Sequence, residues 1–382
     1  MPVTTSTTLT SQFQNYFSKE LLSIVQQETI LDQFSMKAPI PKNNGNKAIS
    51  MFRFGPPSVG SVQTISSEGT PISSANYRAL ALNSLSKSLA QYGQVIGLTD
   101  ILRATDLFNS MQQATKTSGL DMALWVDSVI RNVLVGSNLT ASGSSIGSAA
   151  EGGGTFDNSD ACGTAAASGG TCVYGNPATL TTQTFAGLNA DTTAANTTMT
   201  ASAVLDSMTR LKRNRAPLIN GGYVLATDPR VARDLMRDSD WLNASNYGNK
   251  GQPFYKGEVG SIYGCRVVQQ TNSFVSQGSG TQGDQFVYST AGGGGLTTGK
   301  DIIASFFFGN ESFGIPALTG DDPLSPKIVI TDTPDKSDPL NQLVTVGVKL
   351  YFAALRLAAG NTGSTGNPVW YLVHRTKTST TL

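Results

Sequence analysis

Apolar and polar positions alternate with three different rhythms along this chain, and the changes of rhythm mark its elements. Residues 1–12 are nearly all Ser, Thr and Gln, a composition that predicts an extended or disordered lead. In "FQNYFSKELLSIVQQETILDQF" the residues Phe13, Phe17, Leu21 and Ile24 recur at helical spacing, with Leu22 and Val25 alongside, which predicts an amphipathic helix. Its apolar stripe needs either the body of the fold or another chain to cover it. "APIPKNNGNK" (38–47) is expected to break the helix with two prolines and an Asn-rich turn. From residue 48 the period drops to two: Ala48, Ser50, Phe52 and Phe54 alternate with Ile49, Met51 and Arg53.

A second alternating run, "NYRALALNSLSKSLAQYGQVIGL", follows, and the two read as legs of one hairpin. With roughly 12 to 15 residues per leg it would reach about 40 to 50 Å. A lone two-stranded ribbon is marginal in water, so this one must lie on something. Its tip, "ISSEGTPI", holds Glu68 and Gly69. Two readings stand there: a plain turn, or a carboxylate that meets a basic partner on a neighbouring chain. At the foot of the return leg Gly93 and Gly97 allow close approach to other backbone. Thr99 and Asp100 there suit a helix start.

Two helices are expected next. One carries Ile101, Thr105, Phe108 and Met111 on one face. The other, after an interruption at Gly119, carries Met122, Val126, Val129 and Val133, widened by Trp125, Ile130 and Leu134, and is expected to lie across a sheet. Residues 137–185 are a Gly/Ser/Ala/Thr break that reads as an exposed insertion. Order resumes with a helix at 199–216 capped by Thr200 or Ser202. A strand follows, then a short helix opened by Asp228 and Pro229, a turn and strand at 257–274, and a buried strand in "ASFFFGNESFGIPAL". Long strands close the chain.

Composition narrows what such a chain does. Charged residues are 14% of the 382, against about 25% in ordinary soluble domains; a surface so lightly charged is expected to be covered by partners. The net charge of +1 gives no field for holding nucleic acid tightly. The N-terminus lacks the cationic and apolar parts of a secretory signal and no run is long enough to span a membrane, so a soluble, cytoplasmic start is expected. Only one histidine, His374, is present, inside a strand-like run where a structural role is expected. Ser-His-Asp chemistry and histidine-rich zinc sites find no support in that count. Neither "EGGGT" nor "AGGGGLTTGK" has the spacing of a phosphate loop. No catalytic, metal or cofactor residue is therefore assigned. Of the three cysteines, Cys162 and Cys172 could form a loop tie or remain two free thiols.

The order of these elements resembles the major capsid proteins of tailed bacteriophages, which have the α+β HK97-like fold, and in particular the capsid family of N4-like phages. The resemblance is carried by "APIPKNNGNKAISMFRFG", "ISSEGTPI", "LAQYGQVIGLTDIL", "GGYVLATDPRVARDL", "GEVGSIYGCRVVQQT" and "DPLNQLVTVGVKLYFAALRL". It spans nearly the whole chain apart from 137–185 and 278–300. It implies an N-terminal arm (1–44), an extended E-loop (45–97), a P-domain with a spine helix (98–136), a Gly/Ser/Ala-rich insertion and return (137–199), an A-domain (200–320) and closing P-domain strands (321–382). It also implies self-association into hexamers and pentamers forming an icosahedral shell around double-stranded DNA that is contacted non-specifically. Scaffolding protein, portal and a decoration protein would be further partners. Assembly would take place in the host cytoplasm, with no membrane, enzyme activity or cofactor involved. The contact residues staked on this reading are Phe52, Phe54, Glu68 and Gly69 of the E-loop and the hinge Gly93. Lysines near the arm (Lys42, Lys47, Lys87) carry no motif for an isopeptide crosslink. The competing assignment is another assembly subunit, a surface-layer or tail protein, for which an export signal or internal repeats would be expected.

Overall fold

The computed structural model describes residues 29–40, 48–54, 82–105, 110–135, 172–180, 188, 191, 193–242, 258–276, 287–288, 302–318, 327–331, 340, 342–356 and 370–378. A 3₁₀ turn at Leu31–Phe34 leads into β1 (Met36–Ile40), β2 (Ala48–Phe54), β3 (Leu82–Ser88), β4 (Ala90–Thr99), α1 (Asp100–Thr105), α2 (Ser110–Val135) and β5 (Cys172–Tyr174). Then come α3 (Ala201–Arg213), β6 (Tyr223–Thr227), α4 (Pro229–Met236), β7 (Glu258–Ile262), β8 (Cys265–Gln269), β9 (Phe274–Ser276), β10 (Val287–Tyr288) and β11 (Ile302–Phe308). The last strands are β12 (Phe313–Leu318), β13 (Lys327–Thr331), β14 (Leu343–Phe352), β15 (Leu355–Arg356) and β16 (Tyr371–Lys377).

The larger sheet is built around β11, which pairs with β16 along one edge and with β6 and β9 along the other. β6 continues to β8 and β7, and β16 to β5. "IIASFFF" is apolar without alternation because both faces of this sheet are covered. Ile302, Phe306 and Phe308 pack into one core with Val224, Val373, Phe34, Phe313 and the apolar side of α2. Ile303 and Phe307 point the other way, into a second core with Leu225, Leu372, Val204, Leu211 and Leu235, the last three from α3 and α4. Each fully buried Phe of this strand contributes about 1.5 to 3 kcal/mol. Its one polar side chain, Ser305, meets the Thr227 hydroxyl at 2.7 Å. The two helices start as expected: Thr200 accepts the Ala203 N–H, and Asp228 accepts the Arg230 N–H at 2.8 Å with Pro229 next to it.

The smaller sheet, β13-β14-β4, is antiparallel throughout, with β4 paired to β14 from Ala90↔Phe352 to Thr99↔Leu343. One face, Val346, Val348, Leu350 and Phe352, packs on α2 in the first core. Trp125 of α2 wedges between Tyr92 and Phe352, with ring centroids at 4.3 and 5.9 Å.

Five expectations change. Gly119 does not interrupt the helix: α2 runs 26 residues through it, about 39 Å, with Gly119 buried. The roughly 1 kcal/mol a helical glycine costs is outweighed by the buried stripe on either side. Ile101 is 71% exposed rather than facing a core. Residues 36–40 form a strand, parallel to β12, instead of a break; Pro39 is tolerated because β1 is an edge. The "ASFFFGNESFGIPAL" run is two strands in different sheets, β11 and β12, turned at 309–312. Finally, 172–180 is not exposed: Val173, Tyr174, Asn176 and Leu180 are buried, and β5 extends the larger sheet beside β16.

Candidate assembly surface

The return run of the expected hairpin serves two sheets. Its first half, β3, pairs antiparallel with β2, placing Phe52 opposite Ser84 and Phe54 opposite Leu82. After Leu89 its second half, β4, joins β14. The ladder of β2 and β3 is thus joined, through the single residue Leu89, to the sheet that rests on α2. Met51, 3% exposed, ties it down again: its thioether lies over Gly314 of β12, where a Cβ would overlap the sulfur.

The sites expected from sequence separate accordingly. The backbones of Phe52 and Phe54 belong to β2; their side chains, and Glu68, Gly69 and Cys162, lie outside the described residues. The backbone of Cys172 opens β5, opposite Val373. Gly93 is not beside the two phenylalanines but inside the β4 ladder, opposite Lys349, where a Cβ would stand 3.0 Å from the Val348 carbonyl oxygen. The break in the strand is at Leu89, four residues earlier. Cys265 is a buried free thiol, its pKa pushed well above the usual range by burial.

The outer face of the smaller sheet was not singled out by sequence. The alternating exposure of β14 turns Thr345, Gly347, Lys349 and Tyr351 outward while Val344, Val346, Val348 and Leu350 face the core. Its neighbours add Val95, 68% exposed, and Val329, 45% exposed. Leu343 and, just beyond the sheet's end, Leu340 are also exposed, the latter at 77%. The strict alternation in "LVTVGVKLYF" held that signal.

Buried polar groups fix the frame behind this face. Asp127 in α2 accepts the backbone N–H groups of Ile30 at 3.0 Å and Leu31 at 3.3 Å. Burial raises its pKa to about 7 against the lowering effect of those two bonds; Asp32 adds to the rise and Arg131 opposes it. One turn on, Arg131 donates to Asn272 Oδ1 at 2.7 Å, and Asn272 donates to the Leu124 carbonyl and the Ser128 hydroxyl. α2 is thereby fastened both to the chain entering β1 and to the loop after β8. His374 is fully buried: Nε2–H donates to the Gly175 carbonyl at 2.6 Å and Nδ1 accepts from the Ser207 hydroxyl at 3.0 Å. Burial lowers its pKa to about 4, overcoming the bond to Gly175. It has the structural role expected of it.

Among the described residues no group of three His, Cys, Asp or Glu side chains could hold a metal ion, and no helix is long and apolar enough to cross a membrane. No protein-family model matches the sequence, and no curated protein matches it. Solved structures do match. The capsid of Ralstonia phage GP4 superimposes with a TM-score of 0.61 over 93% of this chain and 93% of its own, at 11% identity. The chain has the HK97-like phage capsid fold. The capsid of cyanophage Pam1 matches with a TM-score of 0.60 and 16% identity over 91% of this chain and 89% of that one. The acid-stable capsid of Helicobacter pylori bacteriophage KHP30 matches with a TM-score of 0.56 and 12% identity, over 91% of each. The runs "YVLAT" and "ASFFF" read from sequence as separate strands, and the structure pairs them as β6 and β11 in the larger sheet.

Proposed function

We propose that this chain is the major capsid protein of a tailed bacteriophage, with sequence elements like those of the N4-like capsids, and that its work is association. Copies meet head-to-tail in rings of five and six, and the rings tile an icosahedral shell around double-stranded DNA. What carries this reading is the agreement over about nine tenths of the chain with capsid subunits of three phages from different hosts. The low charge content fits, since buried interface cores are poor in charged residues. The near-zero net charge suits a wall that contains DNA without fixing its register.

In this reading residues 1–44 form an arm and 45–97 an E-loop, with Phe52, Phe54, Glu68 and Gly69 touching a neighbouring subunit and Gly93 supporting its foot. Residues 98–136 and 321–382 form the P-domain, and 200–320 the A-domain, into whose sheet β16 returns. Residues 137–199 are the insertion and its return to the body. Scaffolding protein, portal and decoration protein are the further partners, and assembly takes place in the host cytoplasm. Because every subunit is held by several contacts at once, each of them can be weak. Electron microscopy with light scattering of the chain, alone and co-expressed with its neighbouring genes, tests this: uniform shells or capsomer rings are expected. A monodisperse monomer under both conditions would refute it.

A further inference from the structure

Two exposed patches, one on each sheet, have no use in folding. The first lies at the corner where the β4–β14 ladder ends with Thr99 opposite Leu343. Just beyond it the Asp100 N–H donates to the Gln342 carbonyl at 3.0 Å, which holds the start of α1 beside the entry to β14. Ile101 and Leu102 on one segment, and Leu340 and Leu343 on the other, are 46 to 77% exposed. A single exposed leucine needs no explanation, but four aliphatic side chains gathered at one corner mark an interaction site. Acids outnumber cations around them: residues 99–106 and 332–343 contain five aspartates against Arg103 and Lys336.

The second patch is the rim of the larger sheet where β6 and β8 begin. Residues 207–227 contain four cations, Arg210, Lys212, Arg213 and Arg215, and no acid; the last three are exposed, with Glu311 at the border of the patch. The loop after them is firmly held. The Ala216 carbonyl accepts the Tyr223 hydroxyl at 3.0 Å, and the Pro217 carbonyl accepts the Asn310 N–H at 2.8 Å. This loop presents Leu218, 50% exposed. Beside it two tight turns lie next to each other, Asn220-Gly221 and Tyr263-Gly264, linked by the Tyr223 N–H, which donates to the Gly264 carbonyl at 3.2 Å. All four turn residues have positive φ. Asparagine and glycine take that conformation readily, whereas a bulky residue such as tyrosine is strained in it. Tyr263 is 46% exposed, so the fold gains little from its ring in return. Strain retained at an exposed aromatic points to a contact, and tyrosine beside arginine is the composition of an interface anchor.

We propose that the two patches are the halves of one contact between copies of this chain: the aliphatic corner at Ile101 and Leu340 of one copy seats on the rim at Leu218 and Tyr263 of the next, with the aspartates around Leu340 against Lys212 and Arg213. This rests on the shell reading and names a pair of surfaces for its head-to-tail contact. The two carry opposite charge and each presents exposed apolar side chains. Because they differ, the contact is heterologous and repeats around a ring. Packaged DNA is the weaker occupant of the rim, since phosphates answer its cations and leave both Leu218 and the aliphatic corner uncovered.

The experiment uses full-length protein under the conditions in which the wild type forms shells, with circular dichroism and thermal melting of the unassembled subunit to show that each variant is folded. Tyr263→Asn puts the residue preferred in such a turn in place of the ring, so it should melt no lower than wild type and still cut shell yield by about tenfold or more. Ile101→Ser with Leu340→Ser should lower the yield as much from the other side. Lys212→Glu with Arg213→Glu, and separately Asp335→Lys with Asp338→Lys, should each reduce it by about tenfold, and all four together should restore it to within a few-fold of wild type. Should a reversal misfold, Lys212→Gln with Arg213→Gln or Asp335→Asn with Asp338→Asn takes its place and should lower yield with an unchanged melt. The proposal is overturned if either folded Tyr263→Asn or the folded serine pair assembles like wild type, or if the fourfold variant is folded and not rescued. Normal shells that fail only to retain DNA would also overturn it, in favour of a DNA contact at the rim. If the wild type itself forms no shells or rings, it is the capsid reading that falls.

Discussion

The carboxylate of Asp127, about two-thirds of the way along the long helix, accepts the backbone N–H of Ile30 at 3.0 Å across 97 residues of sequence. With the second bond, from Leu31, it sets the point at which the chain's beginning meets the helix. Its folded pKa of about 7 lies above the unfolded value of 3.8. The folded state therefore holds this proton more tightly, and the associated stability is full below pH 3.8 and lost as pH rises to about 7. The size is on the order of a few kcal/mol. Asp127→Asn keeps an acceptor for one N–H and removes the titration; Asp127→Ala leaves both N–H groups without it, at about 1 to 3 kcal/mol each before the relief of an uncharged site. The protection of the Ile30 and Leu31 amides, corrected for the base-catalysed intrinsic exchange rate, should be lower at pH 8 than at pH 5 in the wild type, and that decrease should be absent in Asp127→Asn. An unchanged pH dependence in that variant would show that the proton sits elsewhere.

His374 works in the opposite sense over an overlapping range. Its folded pKa of about 4 is below the unfolded 6.5, so its contribution is full above pH 6.5 and lost as pH falls toward 4. The two groups partly cancel, and the stability of the wild type should vary little from pH 4.5 to 6.5. Urea titrations across that range should slope upward with pH in Asp127→Asn, where only the histidine is left. They should slope downward in His374→Gln, where only the aspartate is. His374→Ala should cost about 2 to 4 kcal/mol at pH 7, because the Gly175 carbonyl and the Ser207 hydroxyl both lose a buried partner. Parallel profiles in all three proteins would contradict both assignments.

Arg131 supplies a third test. It is 3% exposed and reaches Asn272, which in turn grips α2 through Leu124 and Ser128. Arg131→Ala leaves Asn272 with one buried acceptor unmet and should cost about 2 to 4 kcal/mol, since truncating one member of a buried network exposes the others. Arg131→Met, which fills the volume, should cost less. Equal losses in chemical denaturation would mean that the bond to Asn272, which both variants lose, and not packing sets the cost at this site.

How much was legible in the sequence follows from which signals are local. Caps are local, so Thr200 and Asp228 could be read directly. Burial on both faces is written into a run such as "IIASFFF", and His374 was readable as structural from the strand around it. Pairing partners are not local. Nothing in "NSLSKSLAQYGQVIGL" says that strand partners change at Leu89, because alternation continues on both sides of it. Gly119 and Pro39 misled for the opposite reason: each carries a strong local preference that a buried helix stripe or an edge position overrides. The corner that gathers Ile101 and Leu343 combines distant parts of the sequence and becomes visible only with the register.

Met51 and Gly314 offer the most direct handle on the root of the β2–β3 ladder. A methyl at Gly314 would occupy the space of the Met51 thioether, but the tip of a methionine can swing aside, so Gly314→Ala should cost only about 1 kcal/mol. Gly314→Val asks more than a swing and should lift β2 away from β12, at about 1 to 3 kcal/mol. Met51→Ala opens a cavity under a buried position and should cost about 2 to 4 kcal/mol. Because the two residues share one space, the double variant Met51→Ala, Gly314→Val should be more stable than the sum of the single effects, by about 1 kcal/mol or more. Hydrogen exchange would locate the change: amides of 48–54 should lose protection in Gly314→Val while those of 302–308 keep it. If the single losses simply add, the ladder is held at its root by something other than this contact. Should they couple as expected, the Gly314→Val subunit, folded but with its ladder loosened, would be expected to fail in shell formation well before it fails in melting.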